Sequence, residues 1–162
     1  MDVTAKAIRK STFRMTLHSE IAINATAERV WQVLVSFSDY QHWNPVIPSA
    51  QGNATRGSTL RVLIRWPRLG PSNYALEVLA AIPGRELRWL GHYKIVGLLD
   101  GDHSFMIESI GEDLVRVTQA ESFSGVLVPL FARWLRGNVL EGFGLMNAAL
   151  KSRAEDTLAE RV

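Results

Sequence analysis

Late in the chain the hydrophobic pattern changes period, and that change constrains the architecture more than any other feature. Phe131, Leu135, Val139, Phe143, Met146, Leu150 and Ala154 recur every three or four residues, the spacing that lays apolar side chains along one face of an α-helix. At ~1.5 Å per residue such a helix is roughly 40 Å long, enough to cross a whole sheet. The residues ahead of it supply one. Short alternating runs at Ile47 to Ala54, Leu60 to Trp66, Tyr74 to Ile82, Glu86 to Tyr93, Asp102 to Ile110 and Leu114 to Phe123 are parted by turn residues such as Gly52-Asn53, Pro83-Gly84 and Gly111 to Asp113. Strands at this spacing, with no helix between them, predict an antiparallel meander.

The opening of the chain adds one strand and two short helices. Met15 to Asn24 alternates, with Leu17, Ile21 and Ile23 on one face, and runs into Thr26 as the cap of a helix whose Ala27, Val30, Trp31 and Leu34 share a face. That helix ends near Ser36. Ser38 is placed to cap a very short turn over Asp39 to Trp43, which Pro45 closes because the residue before a proline avoids helical angles. The expected fold is therefore α+β: a curved six- to seven-stranded antiparallel sheet wrapped around a long C-terminal helix, with two short helices after the first strand. A sheet is wider than one helix, so the two cannot close-pack everywhere, and a space between them is the geometric result. Gly137, Gly142 and Gly144 interrupt the long helix, each at a cost of about 1 kcal/mol relative to Ala. Close approach to the sheet, a kink, or room for a ligand is expected there.

A chain of 162 residues suits one domain. Residues 15–160 are assigned to it, and residues 1–14, which carry Lys6, Arg9, Lys10 and Arg14, read as a solvated N-terminal tail without the apolar run of a signal peptide. No stretch is apolar enough to span a bilayer, and a cytoplasmic location is expected. The net charge of +2 argues against nucleic acid, since Arg61, Arg65 and Arg88 alternate with apolar residues rather than forming a basic patch. The absence of cysteine excludes disulfides and thiolate chemistry. His18, His42, His92 and His103 lack metal-ligand spacing, and no phosphate loop or nucleophile elbow is present. No metal and no cofactor is implied.

Several local patterns are shared with one family. They are Ile21-x-Ile23-x-Ala25-x-Ala27-x-x-Val30-Trp31; Phe37-Ser38-Asp39-Tyr40-x-x-Trp43-Asn44-Pro45; Pro83-Gly84-Arg85-Glu86-Leu87-Arg88-Trp89; Gly101-Asp102-His103-x-Phe105; Glu121-x-Phe123-Ser124-Gly125; and Phe143-x-x-Met146-Asn147-x-Ala149-Leu150-Lys151. With these, the chain resembles the START-like (SRPBCC) superfamily, in its bacterial polyketide cyclase/dehydrase branch, from about Leu17 to Glu160. The resemblance implies a helix-grip fold. It does not select an activity, because similar proteins include ligand carriers, hormone receptors, cyclases and co-activators.

The site is sought on the apolar face. In the runs ending at Ile110 and Phe123 the odd positions are the more apolar, leaving Ser104, Glu108, Arg116, Thr118 and Ser122 to solvent. If Gly111-Glu112-Asp113 form a three-residue hairpin loop, opposite residues sum to 224, which pairs Ile107 with Val117, Phe105 with Gln119 and His103 with Glu121. His103 and Glu121 then become the polar anchor of an apolar pocket, and the candidates for acid and base: burial among rings opposes ionisation of the carboxyl while an imidazolium beside it favours it. A structural hydrogen-bonded pair is the plainer reading of the same neighbours. Trp43, Trp89, Tyr93, Phe105, Gln119, Phe123, Phe143 and Met146 complete the expected lining. Gly97 to Gly101 is either a gate or an ordinary hairpin tip.

Two principal functions follow. One is binding or transport of a small hydrophobic molecule, such as a lipid, a polyketide-like aromatic or an isoprenoid. The other is a polyketide cyclase/dehydratase-type enzyme in which His103 and Glu121 shuttle protons. A third reading, a co-activator docking on a partner protein, calls for an exposed apolar patch. Leu127 to Phe131 offers a minor alternative of membrane contact. No nucleic-acid partner is expected, and the sequence leaves the oligomeric state open.

Overall fold

The computed structural model describes residues 4–68 and 70–159; residues 1–3 of the expected tail and Glu160 lie outside them. Strand β1, Thr4–Ser11, and strand β2, Arg14–Ile23, lead into α1, Ala27–Val35. Thr26 caps α1, its side chain accepting from the Arg29 amide at 3.1 Å, and Glu28 sits in the first turn, where the helix dipole favours an acid. A 3-10 turn, Phe37–Asp39, and α2, Tyr40–Trp43, follow. Ser38 caps neither of them. The Asn44 carboxamide instead accepts from Val46 N and Ile47 N, at 3.1 and 2.8 Å, and turns the chain past Pro45. Tyr40 is buried and donates to Leu34 O at 2.6 Å, and that burial pushes its hydroxyl pKa far above the ordinary tyrosine value.

The strands β3, Ser49–Gln51; β4, Thr59–Arg65; β5, Pro71–Ile82; β6, Glu86–His92; β7, Asp100–Gly111; and β8, Leu114–Ser124 complete one antiparallel sheet in the order β1-β2-β8-β7-β6-β5-β4-β3. Eight strands exceed the expected six or seven. The addition is β1, drawn from residues read as a solvated lead-in, which pairs along β2 from Thr4 opposite Glu20 to Ser11 opposite Arg14. The expected solvent face of β7 and β8 is exposed or half-buried throughout, with Arg116 donating to Glu108 directly across the pair at 2.7 Å.

Helix α3, Val128–Ala159, spans 32 residues, about 48 Å at ~1.5 Å per residue. Its stripe is buried from Leu135 to Ala154, whereas Phe131 is partly exposed. Asn147 Nδ2 donates to Ser19 Oγ at 3.1 Å and Lys151 Nζ to Ala22 O at 2.9 Å, fixing α3 against β2. Glu155 accepts from both nitrogens of Asn24, at 2.6 and 3.0 Å, and from Lys151. Burial opposes its ionisation, but these donors outweigh it and hold the carboxyl below its ordinary pKa. Of the helix glycines, Gly142 faces Val46 at ordinary contact distance, while a Cβ on Gly137 or Gly144 would meet nothing within 4 Å.

The core is divided. One cluster gathers Trp31, Leu34, Trp89, Phe105, Met146 and Leu150; the other gathers Met15, Leu17, Phe123, Leu135, Val139 and Phe143. Sheet and helix contact each other firmly in two places, and the space lies between.

Candidate functional site: a cavity with one acid

The rows of the sheet explain the space. Across β6, β7 and β8 the register sets Trp89, His103 and Glu121 side by side, and in the next row Gly91, Gly101 and Phe123. All six face the cavity. Two adjacent strands thus present glycine where side chains would otherwise project toward α3. Both glycines are closely overlaid: a Cβ on Gly91 would strike Leu76, and one on Gly101 would strike Glu121 Oε1. The cavity holds about 470 Å³. It reaches the surface beside Tyr93 and Phe131, which are 43% and 37% exposed.

The hairpin register is the expected one, arrived at differently. Gly111 pairs with Leu114 around a two-residue turn, and a bulge at Ile110 takes up the remaining residue, so that Ser109 faces Val115 and the sum of 224 holds from there on. His103 consequently lies opposite Glu121, with Nδ1 2.6 Å from Oε2 and side chains only 8% and 12% exposed. Gln119 Nε2 lies 3.2 Å from His103 Nε2. With that amide donating, His103 Nε2 accepts, and the imidazole proton on Nδ1 is donated to the carboxylate. Trp89 stacks on the imidazole at 5.1 Å and 10°, and Phe143 meets it edge-on at 5.4 Å. The ring is held by stacked and edge-on aromatics and at both nitrogens.

Eight of the ten expected site residues line the cavity: Trp89, Tyr93, His103, Gln119, Glu121, Phe123, Phe143 and Met146. Trp43 and Phe105 do not, and these two are corrections. Trp43 packs edge-on against Tyr40 in the larger cluster, its indole nitrogen buried without a partner. Phe105 is wholly buried against Trp89 and His103. Sequence reasoning missed the walls contributed by Ile64, Trp66, Tyr74 and Trp134. Trp66 and Trp134 meet edge-to-face at 6.1 Å, and Trp66 Nε1 donates to Tyr74 Oη at 3.4 Å. An aromatic at the end of one run and another beside the helical stripe were the only available signals.

The segment between β6 and β7 is tied down. Val126 N donates to Gly97 O at 3.2 Å and Leu127 N to Leu98 O at 3.0 Å, joining it to the start of α3. Asp100 accepts from the Gly97 amide at 2.9 Å and pairs with His92 at 2.7 Å. Gly125, with φ 126°, lies directly beneath the carbonyls of Gly97 and Leu98, where a Cβ would collide with backbone.

Similarity to known proteins agrees with this architecture. The chain aligns with a START superfamily protein from Mycobacterium smegmatis at TM-score 0.68 and 19% identity, over 88% of this chain and 98% of that one. It aligns with norcoclaurine synthase from Thalictrum flavum at 0.67 and 13%, over 97% and 98%. The di-domain ARO/CYC BexL of the BE-7585A biosynthetic pathway aligns at 0.74 and 10%, over 90% of this chain and 52% of that protein, so the chain spans about half its length. At these identities the likeness is one of fold. Curated protein sequences give no match. Among the described residues no helix is long and apolar enough to cross a membrane, and no three His, Asp or Glu side chains gather as a metal site would require. The family profile described as polyketide cyclase/dehydrase and lipid transport matches residues 14–155, and with its helix-grip sheet and cavity the chain belongs to that family.

Proposed function

We propose that the protein binds and carries a small hydrophobic molecule in the cavity between the sheet and α3. The observation that carries this reading is the cavity itself: about 470 Å³, walled by aliphatic and aromatic side chains with a small polar cluster, and open at one end. Water in such a space gains little from its walls, whereas an apolar ligand releases that water and gains dispersion contacts. Lipid, polyketide-like and isoprenoid bodies share the required character. The test is extraction of denatured purified protein followed by mass spectrometry, together with titration of an apolar fluorescent dye. Gly142→Leu places a side chain at the cavity wall from a helix position with room for a Cβ. It is expected to abolish dye binding while leaving the fold intact; unchanged binding would remove the cavity from the account.

A second reading is favoured by one specific observation, the Gln119–His103–Glu121 chain on the wall. In a cyclase or dehydratase, His103 would pass its Nδ1 proton to Glu121 while taking another at Nε2 from substrate, with Gln119 giving way. Conversion of a polyketide-like substrate, lost in His103→Leu and in Glu121→Gln, would select the enzyme over the carrier.

A further inference from the structure

The wall has an acceptor left over, and it lies where a side chain is missing. Glu121 Oε2 is engaged by His103, whereas Oε1 rests over the bare Cα of Gly101, in the volume a Cβ would fill. Among the described residues no donor reaches Oε1. Beside it, Gln119 Oε1 is buried without a hydrogen-bond partner, and Gln119 as a whole is 1% exposed. Among the described residues Glu121 is the sole carboxylate of the lining, which includes no Lys or Arg. The polar cluster therefore has surplus acceptors and no surplus donor. Glu121 Oε1 is not sealed off as Gln119 Oε1 is, and a ligand donor placed there forms a charge-assisted hydrogen bond of the stronger kind.

We infer that Glu121 Oε1, seated over the bare Cα of Gly101, receives an O–H or N–H of the ligand, so that the cavity selects apolar, ring-bearing molecules carrying a hydrogen-bond donor and rejects those carrying a carboxylate. This rests on the cavity being the binding site and specifies the ligand class within it. The aromatic faces of Trp89, Phe123 and Phe143 hold the body of such a ligand. Gly101 is the selective element: an alanine there would displace the carboxylate while meeting the Phe123 ring only at ordinary van der Waals distance, 3.5 Å. A hydroxyl and an ammonium present the same donor chemistry; the electron-rich rings around the site would add to the attraction for the ammonium.

The experiment is displacement of an apolar dye by naphthalene, 2-naphthol, 2-methoxynaphthalene, 2-naphthylmethylamine and 2-naphthoate. Wild-type protein is expected to bind 2-naphthol at least about tenfold more tightly than 2-methoxynaphthalene, which has no donor, and 2-naphthoate more weakly than either. A preference for the amine over naphthol would assign the donor as cationic, and the reverse order as neutral; both support the inference. Glu121→Gln exchanges the free acceptor for an amide donor, so the order of 2-naphthol and 2-methoxynaphthalene should narrow or invert while naphthalene is unaffected. Gly101→Ala should abolish the naphthol preference, again sparing naphthalene, and serves if Glu121→Gln fails to fold. Naphthalene and naphthol bound equally by wild type would overturn the inference and leave the cavity reading standing. Failure of every probe to bind would overturn both.

Discussion

Removing His103 should expose how tightly the wall is coupled. His103→Leu keeps most of the ring's volume but deletes the donor 2.6 Å from Glu121 Oε2 and the acceptor 3.2 Å from Gln119 Nε2. Loss of a hydrogen-bond donor to a shielded carboxylate costs about 1.5–3 kcal/mol. The lower end is expected here, because water in the cavity can solvate part of the carboxylate. Glu121→Leu leaves a neutral imidazole with an unanswered N–H, a loss of about 1–3 kcal/mol. The double variant removes donor and acceptor together and replaces them with two leucines in direct cross-strand register. It should be more stable than the sum of the single losses by about 1.5–3 kcal/mol. Urea unfolding followed by far-ultraviolet circular dichroism at pH 7 measures all four corners of the cycle. Additivity within about 0.5 kcal/mol would refute the reasoning, since residues that share no interaction add to that degree.

Other outcomes follow from the same geometry. Gly137→Ala and Gly144→Ala, where a Cβ meets nothing within 4 Å, should each stabilise α3 by about 0.5–1 kcal/mol in thermal melts. Gly125→Ala should destabilise by more than about 1 kcal/mol, because φ is 126° and the new Cβ would press on the backbone of Gly97 and Leu98. Glu155 is held below its ordinary pKa, so its contribution is complete at neutral pH and is lost as pH falls from the ordinary glutamate value through the lower folded one. Glu155→Gln should therefore flatten the acid limb of the stability profile between those two values, and an unchanged limb would contradict the assignment.

How much of this was legible in the sequence depended on how local the determinant was. His103 opposite Glu121 could be read because one hairpin fixes both, and a bulge that restores the register leaves the pairing intact. Gln119 came with them by alternation along β8. The far wall was not accessible in this way: Trp66 and Trp134 are brought together by the curvature of the sheet, and no local pattern encodes that. Phe105 occupies the expected face, yet packs into the larger core cluster against Trp89 and His103, so identical periodicity served core at one end and cavity at the other. Strand β1 went unseen because Lys6, Arg9 and Lys10 interrupt any apolar alternation; backbone pairing with β2 defines it.

The two backbone hydrogen bonds from Val126 and Leu127 to Gly97 and Leu98 have a kinetic meaning. They splice the segment between β6 and β7 to the residues that lead into α3, so a widening hinge there would have to carry a helix with it. On the proposed carrier role, loading and unloading would fall to the Tyr93 and Phe131 rings, whose rotamers exchange far faster than such collective movements. Molecules thin enough to slip past two swinging rings would trade quickly, while bulkier ones would wait on the slower opening of the frame.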